Sequence, residues 1–201
     1  MDTPDDAQQR AAAAAEIAHF QSIPWCAKRL AAGSKNQVVT QSFSRLRGRE
    51  KPPQEDALIS EALNRPDAIA GFITFYTPPP PTNSKGELVR EVHAFLTLGP
   101  MLNGWAGICH GGIVMTILDE VMGQLPAVNK LRGVMSDMPL MTAYLNTKFL
   151  RPVRTGTTIM VTARFTKIEG RKHWTEGFIY DEHGNVLASA DALFIVLKAR
   201  L

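Results

Sequence analysis

His110, Gly111, Gly112 and Asp119 are the residues whose types and spacing best suit a chemical role. The two glycines allow a tight turn and a close approach of a ligand to the backbone. An apolar run over 113–125 follows them, and its length and lack of alternation predict a helix. The first N–H groups of such a helix have no intrahelical partner and carry partial positive charge. They could therefore polarise a carbonyl group and stabilise an oxyanion.

The helical repeat returns Asp119 to nearly the same helix face as Gly112, but about 10 Å further along the axis. One subunit could therefore not easily bring both groups to the same bond. Across a two-fold axis, the helix start of one chain could meet the aspartate of the other, which predicts a homodimer or a homotetramer. Alternatively, Asp119 belongs to a polar edge of an amphipathic helix, because Thr116, Glu120 and Gln124 lie nearby.

Alternating apolar residues predict the elements that would position this helix. They indicate strands over 87–98, 141–149, 157–167, 173–181 and 186–198, the last four joined by a loop and short turns. Such strands favour one antiparallel sheet of about five strands curled around the helix, an α+β fold. A helix that is apolar on most sides must be enclosed on most sides, so a second copy of the chain would cover the remainder. Pro126 is predicted to end the helix.

The first part of the chain is predicted to be an extension of this domain. Residues 5–20 resemble an alanine-rich helix, 33–53 a polar connecting segment, and 54–64 a short helix bounded by prolines. Residues 69–76 are β-branched and aromatic, which favours a strand or a strand-like cover. We therefore divide the chain into a helical and irregular extension over 1–68 and a sheet-and-helix domain over 69–201.

Composition limits the classes of function and location. The chain has 201 residues, 45% of them apolar, and its formal charge of +3 comes from scattered basic residues, which argues against a nucleic-acid partner. The two cysteines form no CxxC pair, which favours a reducing compartment. No stretch approaches the roughly 18 apolar residues of a membrane span. The acidic N-terminus resembles neither a secretory signal nor a transit peptide, so we predict a cytoplasmic protein.

The string His110-Gly-Gly, followed after six residues by Asp119 on the helix after the first regular strand, resembles the hotdog-fold acyl-CoA thioesterases. It is most similar to the phenylacetate-pathway (PaaI-like) and THEM-type groups. The stretches LGPMLNGWAGICHGGIVMTILDE and MTAYLNTKFLRPV both fit the layout of this family, and the resemblance covers roughly residues 87–198. It implies a hotdog fold, an antiparallel β-sheet wrapped around a central α-helix, here with an N-terminal helical extension.

The resemblance also implies roles for four catalytic residues. Asp119 would act as the nucleophile or as the general base on water. Gly112 or an immediate neighbour would supply the backbone N–H that polarises the thioester carbonyl. His110 would shape this loop, with or without touching the substrate, and Thr142 would orient the water or the acid.

Further residues are predicted to contact the substrate. Gly111 would let the substrate approach the backbone closely. Some family members use an asparagine upstream of His-Gly-Gly, but here Gly104 stands six positions before the histidine and Asn103 lies one residue earlier, a departure from the pattern. Arg151 and Arg154 could bind coenzyme A phosphates, or they could form a solvated, charged strand end.

The implied reaction is hydrolysis of an acyl thioester, carried by CoA or by an acyl-carrier protein, to a free acid and a thiol. A thioester carbonyl has weak resonance protection, so one oxyanion donor and one carboxylate suffice, and no metal or cofactor is required. Cys109 is a weaker nucleophile candidate because no acid is placed to orient a dyad with His110. The alternatives are a non-catalytic acyl-thioester binding or scaffold protein and a hotdog hydratase or dehydratase.

Overall fold

The computed structural model describes residues 4–45, 56–80 and 86–198. Its α-helices are α1 (Pro4–Ser22), α2 (Pro24–Ala31) and α3 (Gly111–Leu131). Its strands are β1 (Val38–Gln41), β2 (Ile69–Tyr76), β3 (Glu91–Leu98), β4 (Asn103–Trp105), β5 (Ile108–Cys109), β6 (Leu140–Phe149), β7 (Thr157–Glu169), β8 (Lys172–Tyr180) and β9 (Val186–Val196). Short helical turns lie at Phe43–Arg45, Leu58–Ala62 and Pro100–Leu102.

Seven strands form one sheet in the order β1-β2-β3-β7-β8-β9-β6, and every neighbouring pair is antiparallel. One face of this sheet packs against α3. The shared core joins alternate residues of β3, such as Val92 and Leu96, to Ile117, Leu118 and Val121 of the helix. The predicted α+β class and the hotdog arrangement, an antiparallel sheet wrapped around a central helix, are confirmed.

A glycine in β8 lets α3 lie close to the sheet. A Cβ atom at Gly177 would stand 2.8 Å from the Met122 Sδ atom and 3.2 Å from Leu118. Such distances are shorter than van der Waals contact, so a side chain here would force the Met122 and Leu118 side chains to shift. Glycine at this position therefore allows α3 to pack closely on β8.

The prediction that α3 ends at Pro126 is wrong, because the helix continues to Leu131. Proline removes one helical hydrogen bond, but the following turn is held by other contacts. Asn129 is fully buried, and its side-chain amide bonds both the N–H and the carbonyl of Val89, at 2.8 and 2.9 Å. These bonds fix the helix end to the segment before β3.

The sheet has seven strands where about five were expected. The strand expected over 69–76 is confirmed, and the strand expected to begin at residue 87 begins at Glu91. The additional strand β1 lies inside 33–53, the segment predicted as a connection, and pairs with β2 from Val38–Tyr76 to Gln41–Ile73. Residues 46–55 lie outside the described residues, so the helix expected over 54–64 is seen only as the turn Leu58–Ala62.

The N-terminal helices cover the outer face of the sheet at β2 and β3. Phe20 at the end of α1 and Phe95 of β3 are fully buried and stack at 5.8 Å between ring centroids. Trp25 of α2 meets Phe95 edge-on at 5.0 Å. A second apolar core therefore lies on the side of the sheet opposite α3. Among the described residues, no helix combines the length and apolarity that crossing a membrane requires.

Candidate functional site

His110 caps the N-terminus of α3. Its backbone is extended, and its Nδ1 atom accepts a hydrogen bond from the N–H of Gly112 at 3.0 Å. Nδ1 must be unprotonated to accept this bond, so the neutral ring carries its proton on Nε2. A Cβ atom at Gly112 would lie 3.1 Å from this ring nitrogen, so glycine lets the imidazole fold over the helix start. His110 thus caps the first turn of α3.

The first turn of α3 presents an unpaired amide at Gly111. The N–H of Gly112 is bound to His110, whereas the N–H of Gly111 has no acceptor among the described residues. An unpaired N–H at a helix N-terminus is a preformed donor for an oxygen that gains negative charge. Gly111, the immediate neighbour of Gly112, is therefore the better placed oxyanion donor.

Asp119 and Thr142 lie together, although they are on different elements. The Thr142 hydroxyl on β6 donates a hydrogen bond of 3.0 Å to Oδ1 of Asp119 on α3. Burial raises the pKa of the Asp119 carboxyl, and the bond from Thr142 opposes that rise. The site therefore holds a partly desolvated carboxyl with one oxygen oriented by a hydroxyl, an arrangement suited to a general base.

Within one protomer, the helix start and the acid are separate. Gly112 and Asp119 are seven residues apart on a regular helix, so about 10 Å of axial rise divides them. Thr116 lies between them and donates to the Gly112 carbonyl at 2.9 Å. The predicted amide donor and the predicted carboxylate thus share a helix face but do not converge on one point.

Two of the predicted substrate-binding residues, Asn103 and Arg154, pair with residues of the segment that leads into α3. Asn103 accepts a hydrogen bond from the Thr155 hydroxyl at 2.6 Å and faces Cys109 across the β4–β5 pair. Arg151 donates to the carbonyl of Val186 at 2.7 Å, so its guanidinium is partly engaged in holding β9.

Arg154 forms a bridge with Ile108, which is two residues before His110. Its side chain lines a cleft of about 770 Å³ that also includes Trp25, Asp181 and His183. This cleft lies where the N-terminal helices meet the ends of β3 and β7. The structure therefore places Arg154 beside a cavity that the sequence did not suggest.

Cys109 does not have the environment of a nucleophile. Its side chain is buried, and burial raises the pKa of the thiol to about 11, which disfavours the reactive thiolate. Among the described residues, no group of three or more histidine, cysteine, aspartate or glutamate side chains is arranged to hold a metal ion. The described groups available for chemistry are therefore the helix-start amide, His110, and the pair of Asp119 and Thr142.

Sequence reasoning missed the surroundings of Glu120. Ser44, from the segment before β2, donates a hydrogen bond to the Glu120 carboxyl, and Gln124 also donates to it at 3.1 Å. Asp119 and Glu120, which are adjacent on α3, thus have different hydrogen-bond partners. The one feature of the sequence that could have indicated buried partners for Glu120 was the presence of a charged residue on a largely apolar helix.

The part of the chain that carries the candidate site is similar in sequence to known proteins. Residues 106–188 match the family model described as Thioesterase superfamily, a range that includes α3, β6 and the whole predicted catalytic set. The chain is similar to Acyl-coenzyme A thioesterase THEM4 of Xenopus laevis, with 36% identity over 109 residues that cover 54% of this chain and 46% of that protein. The chain thus spans about half the length of this relative.

Two further similarities extend the comparison. Verlamelin biosynthesis protein B of a Lecanicillium species is 29% identical over 169 residues, 71% of this chain and 73% of that protein. The crystal structure of the BH2602 protein from Bacillus halodurans with CoA is 31% identical and has a TM-score of 0.45. The match covers 54% of this chain and 68% of that chain.

Proposed function

Because the chain belongs to the thioesterase superfamily, we propose that it is an enzyme that hydrolyses an acyl thioester to a free acid and a thiol. The observation that carries this proposal is the 3.0 Å hydrogen bond from Thr142 to Asp119, on the helix that begins with His110-Gly-Gly. A partly buried carboxyl held by a hydroxyl is suited to take a proton from water. A glycine-lined helix start is suited to receive the oxyanion.

The reaction needs one donor and one base. In the general-base route, the thioester oxygen accepts a hydrogen bond from the N–H of Gly111, and the Asp119 carboxylate removes a proton from water as the water oxygen attacks the carbonyl carbon. The tetrahedral oxyanion stays on the helix-start amide. The C–S bond then breaks, and the leaving thiolate takes up the proton that Asp119 removed from water, which restores the Asp119 carboxylate. Direct attack by Asp119, through an anhydride that water then opens, uses the same residues.

The proposed site is shared by two subunits. β6 is the last strand of the sheet, and exposed apolar side chains line it: Met141, Tyr144, Phe149 and Leu150. An edge strand of this kind favours pairing with another strand. Pairing two β6 strands about a two-fold axis would bury these side chains and continue the sheet. It would bring the helix start of one protomer toward Asp119 of the partner subunit, which accounts for their separation within a protomer.

We further propose that CoA carries the acyl group. The Xenopus relative is named an acyl-coenzyme A thioesterase, and the Bacillus structure was determined with CoA. Arg154 lines the cleft at the N-terminal helices and pairs with Ile108, two residues before His110, and we propose it as a cation that meets a phosphate. The two cysteines are unpaired and buried, which favours a reducing compartment, and we propose the cytoplasm.

The proposed activity is tested by thiol release from a panel of acyl-CoA thioesters, comparing the wild-type chain with Asp119→Asn and with Asp137→Asn. Asp137 lies exposed in the loop before β6, so its substitution is a matched control that should keep full activity. Wild-type hydrolysis that Asp119→Asn abolishes supports the proposal. Absence of thiol release across all chain lengths contradicts it and favours a binding protein, whereas enoyl-CoA turnover without thiol release indicates a hydratase.

The shared site is tested with a second variant, Gly111→Pro. Proline is favoured at the first helical position, where His110 already has the extended backbone that precedes proline, so the change removes the N–H and preserves the helix. Gly111→Pro and Asp119→Asn should each be inactive alone. Random mixed dimers should recover about a quarter of the wild-type rate, because each mixed dimer has one intact site. Mixing that restores nothing would place both groups of each site in one protomer.

A further inference from the structure

Glu120 has a set of partners that the proposed reaction does not use. Ser44 donates its hydroxyl to Glu120 Oε1, and the Gln124 amide, one turn along α3, donates to the same oxygen at 3.1 Å. Ser44 belongs to the short helical turn that follows β1, so this contact joins the N-terminal part of the chain to the helix of the proposed site. Glu120 is therefore held from outside its own helix.

The partners of Glu120 are themselves fixed. The Gln124 Nε2 atom lies 3.0 Å from both the Ser42 and the Ser44 hydroxyl oxygens, and Thr74 of β2 donates to Gln124 Oε1 at 3.4 Å. We call Ser42, Ser44, Thr74 and Gln124 the hydroxyl–amide cluster; each of its members is at most 5% exposed. Satisfied buried polar groups allow few alternative arrangements.

Ser44 is also anchored through its neighbour in the chain. Arg45 is 4% exposed, and its guanidinium donates to the carbonyl of Ile69 at the start of β2 and to Glu16 of α1. The turn at Phe43–Arg45 therefore cannot shift without breaking a buried ion pair. Because Arg45 ties this turn to β2 and to α1, the hydrogen bond from Ser44 links Glu120 to both of these elements.

This restraint acts on the rotation of α3. Successive residues of a helix are about 100° apart, so a contact that fixes Glu120 also fixes the direction of Asp119. Side chains end about 5–6 Å from the helix axis, so a rotation of about 20° would displace the Asp119 carboxyl by about 2 Å. That displacement would break the 3.0 Å bond from Thr142. The direction of the Asp119 carboxyl therefore depends on the contacts that hold Glu120, about 100° away around the helix.

Burial, and then the nearby negative charges, shift the pKa of the Glu120 carboxyl toward the neutral form. Burial raises the pKa of its carboxyl most, and the negative charges of Asp56 and Asp119 raise it further, while the hydrogen bonds from Ser44 and Gln124 oppose them. The nearby cation Arg45 is engaged by Glu16 and by the Ile69 carbonyl. Ionisation of one of two adjacent acids disfavours ionisation of the other. Asp119 can therefore be the single negative charge in the site.

We propose, on the premise of the thioesterase function, that Glu120 is a positioning residue. Through its hydrogen bonds with Ser44 and Gln124, it holds α3 in the rotation that directs Asp119 toward Thr142. The N-terminal segment that carries Ser44 is then part of the support of the proposed site.

The test compares Glu120→Gln, which keeps a neutral acceptor, with Glu120→Ala, which removes it, and uses the exposed Glu61→Ala as control. On the best acyl-CoA substrate, Glu120→Ala should lower kcat at least about tenfold with KM within about threefold of wild type. Glu120→Gln should keep kcat within about threefold, because its side-chain carbonyl can accept the same two bonds. An unchanged kcat in Glu120→Ala overturns the proposal, as does an equal loss in both variants.

Two further measurements keep the proposal testable. If Glu120→Ala does not fold, Ser44→Ala replaces it, with kcat expected to fall about threefold at unchanged KM, and an unchanged kcat overturns the proposal. Titration of the Asp119 carboxyl by carbon NMR needs no substrate. Its midpoint should be the same in wild type and Glu120→Gln, and a downward move in the variant would show that Glu120 is charged. Failure of the wild type to release thiol would instead contradict the proposed function.

Discussion

The two flanks of α3 differ in how their acids are held. On the Asp119 flank, which faces β6, Thr142 is the one described residue that donates a side-chain hydrogen bond to the acid, and β6 is an edge strand with exposed apolar residues. On the Glu120 flank, Ser44 and Gln124 donate to the acid inside the buried hydroxyl–amide cluster. The first flank therefore borders an exposed edge strand, whereas the second lies against a buried polar cluster. On the proposed function, reactivity belongs to Asp119 and support to Glu120, two adjacent residues about 100° apart around the helix.

The largest effect is expected when the negative charge is removed from the Asp119 flank. Asp119→Asn keeps the size of the side chain but cannot take a proton, so kcat should fall by about 10²–10⁴-fold, the range typical of a lost general base. Its melting temperature should stay close to that of the wild type, because a partly buried charge is replaced by a neutral amide. Thiol release and thermal melting measure the two quantities. A large fall in melting temperature with retained kcat would make Asp119 structural.

The opposite result is expected on the Glu120 flank. Gln124→Leu keeps the approximate volume but leaves the Ser42, Ser44 and Thr74 hydroxyls without an amide partner in a buried cluster. The free energy of unfolding should fall by about 1–3 kcal/mol, the cost of buried polar groups left unsatisfied. Urea denaturation measures this change, and the slope of the unfolding free energy against urea should not change. Unchanged stability would show that the cluster is not a support.

The hydrogen bond from Thr142 can be removed without altering either acid. In Thr142→Val, the bond that lowers the Asp119 pKa is lost while burial still raises that pKa. The base is active when ionised, so activity rises as pH rises through the Asp119 pKa, and this acid limb should move to higher pH in the variant. At a pH above the limb, kcat should be about three- to tenfold lower, because the carboxylate is less well oriented. An acid limb that moves to lower pH would contradict the assignment.

The Asp119 flank could be predicted from the sequence, whereas the Glu120 flank could not. The glycine pair before an apolar run marks the helix start, and regular alternation marks the strands that enclose it. Glu120 meets Ser44 across 76 positions of the chain, and no local pattern encodes such a contact. The four residues of β1 were missed because so short a run in a polar segment has little periodicity, and pairing with β2 decides its conformation. The helix was predicted to end too early, at Pro126, because the bonds from the buried Asn129 side chain to Val89, which hold the last turn of α3, cannot be read from the local sequence.

The smallest effect is expected beside the helix start, at Cys109. Its thiol is buried and its pKa is raised to about 11, so it remains protonated at neutral pH and cannot compete with Asp119 as the reactive group. Cys109→Ala should therefore keep kcat within about twofold, with a modest loss of stability from the small cavity left in the core. As a second measurement, thiol release by the wild-type protein is compared before and after treatment with iodoacetamide, which alkylates accessible cysteines. Loss of activity in both experiments would indicate that the Cys109 thiol, and not the Asp119 carboxylate, is the reactive group.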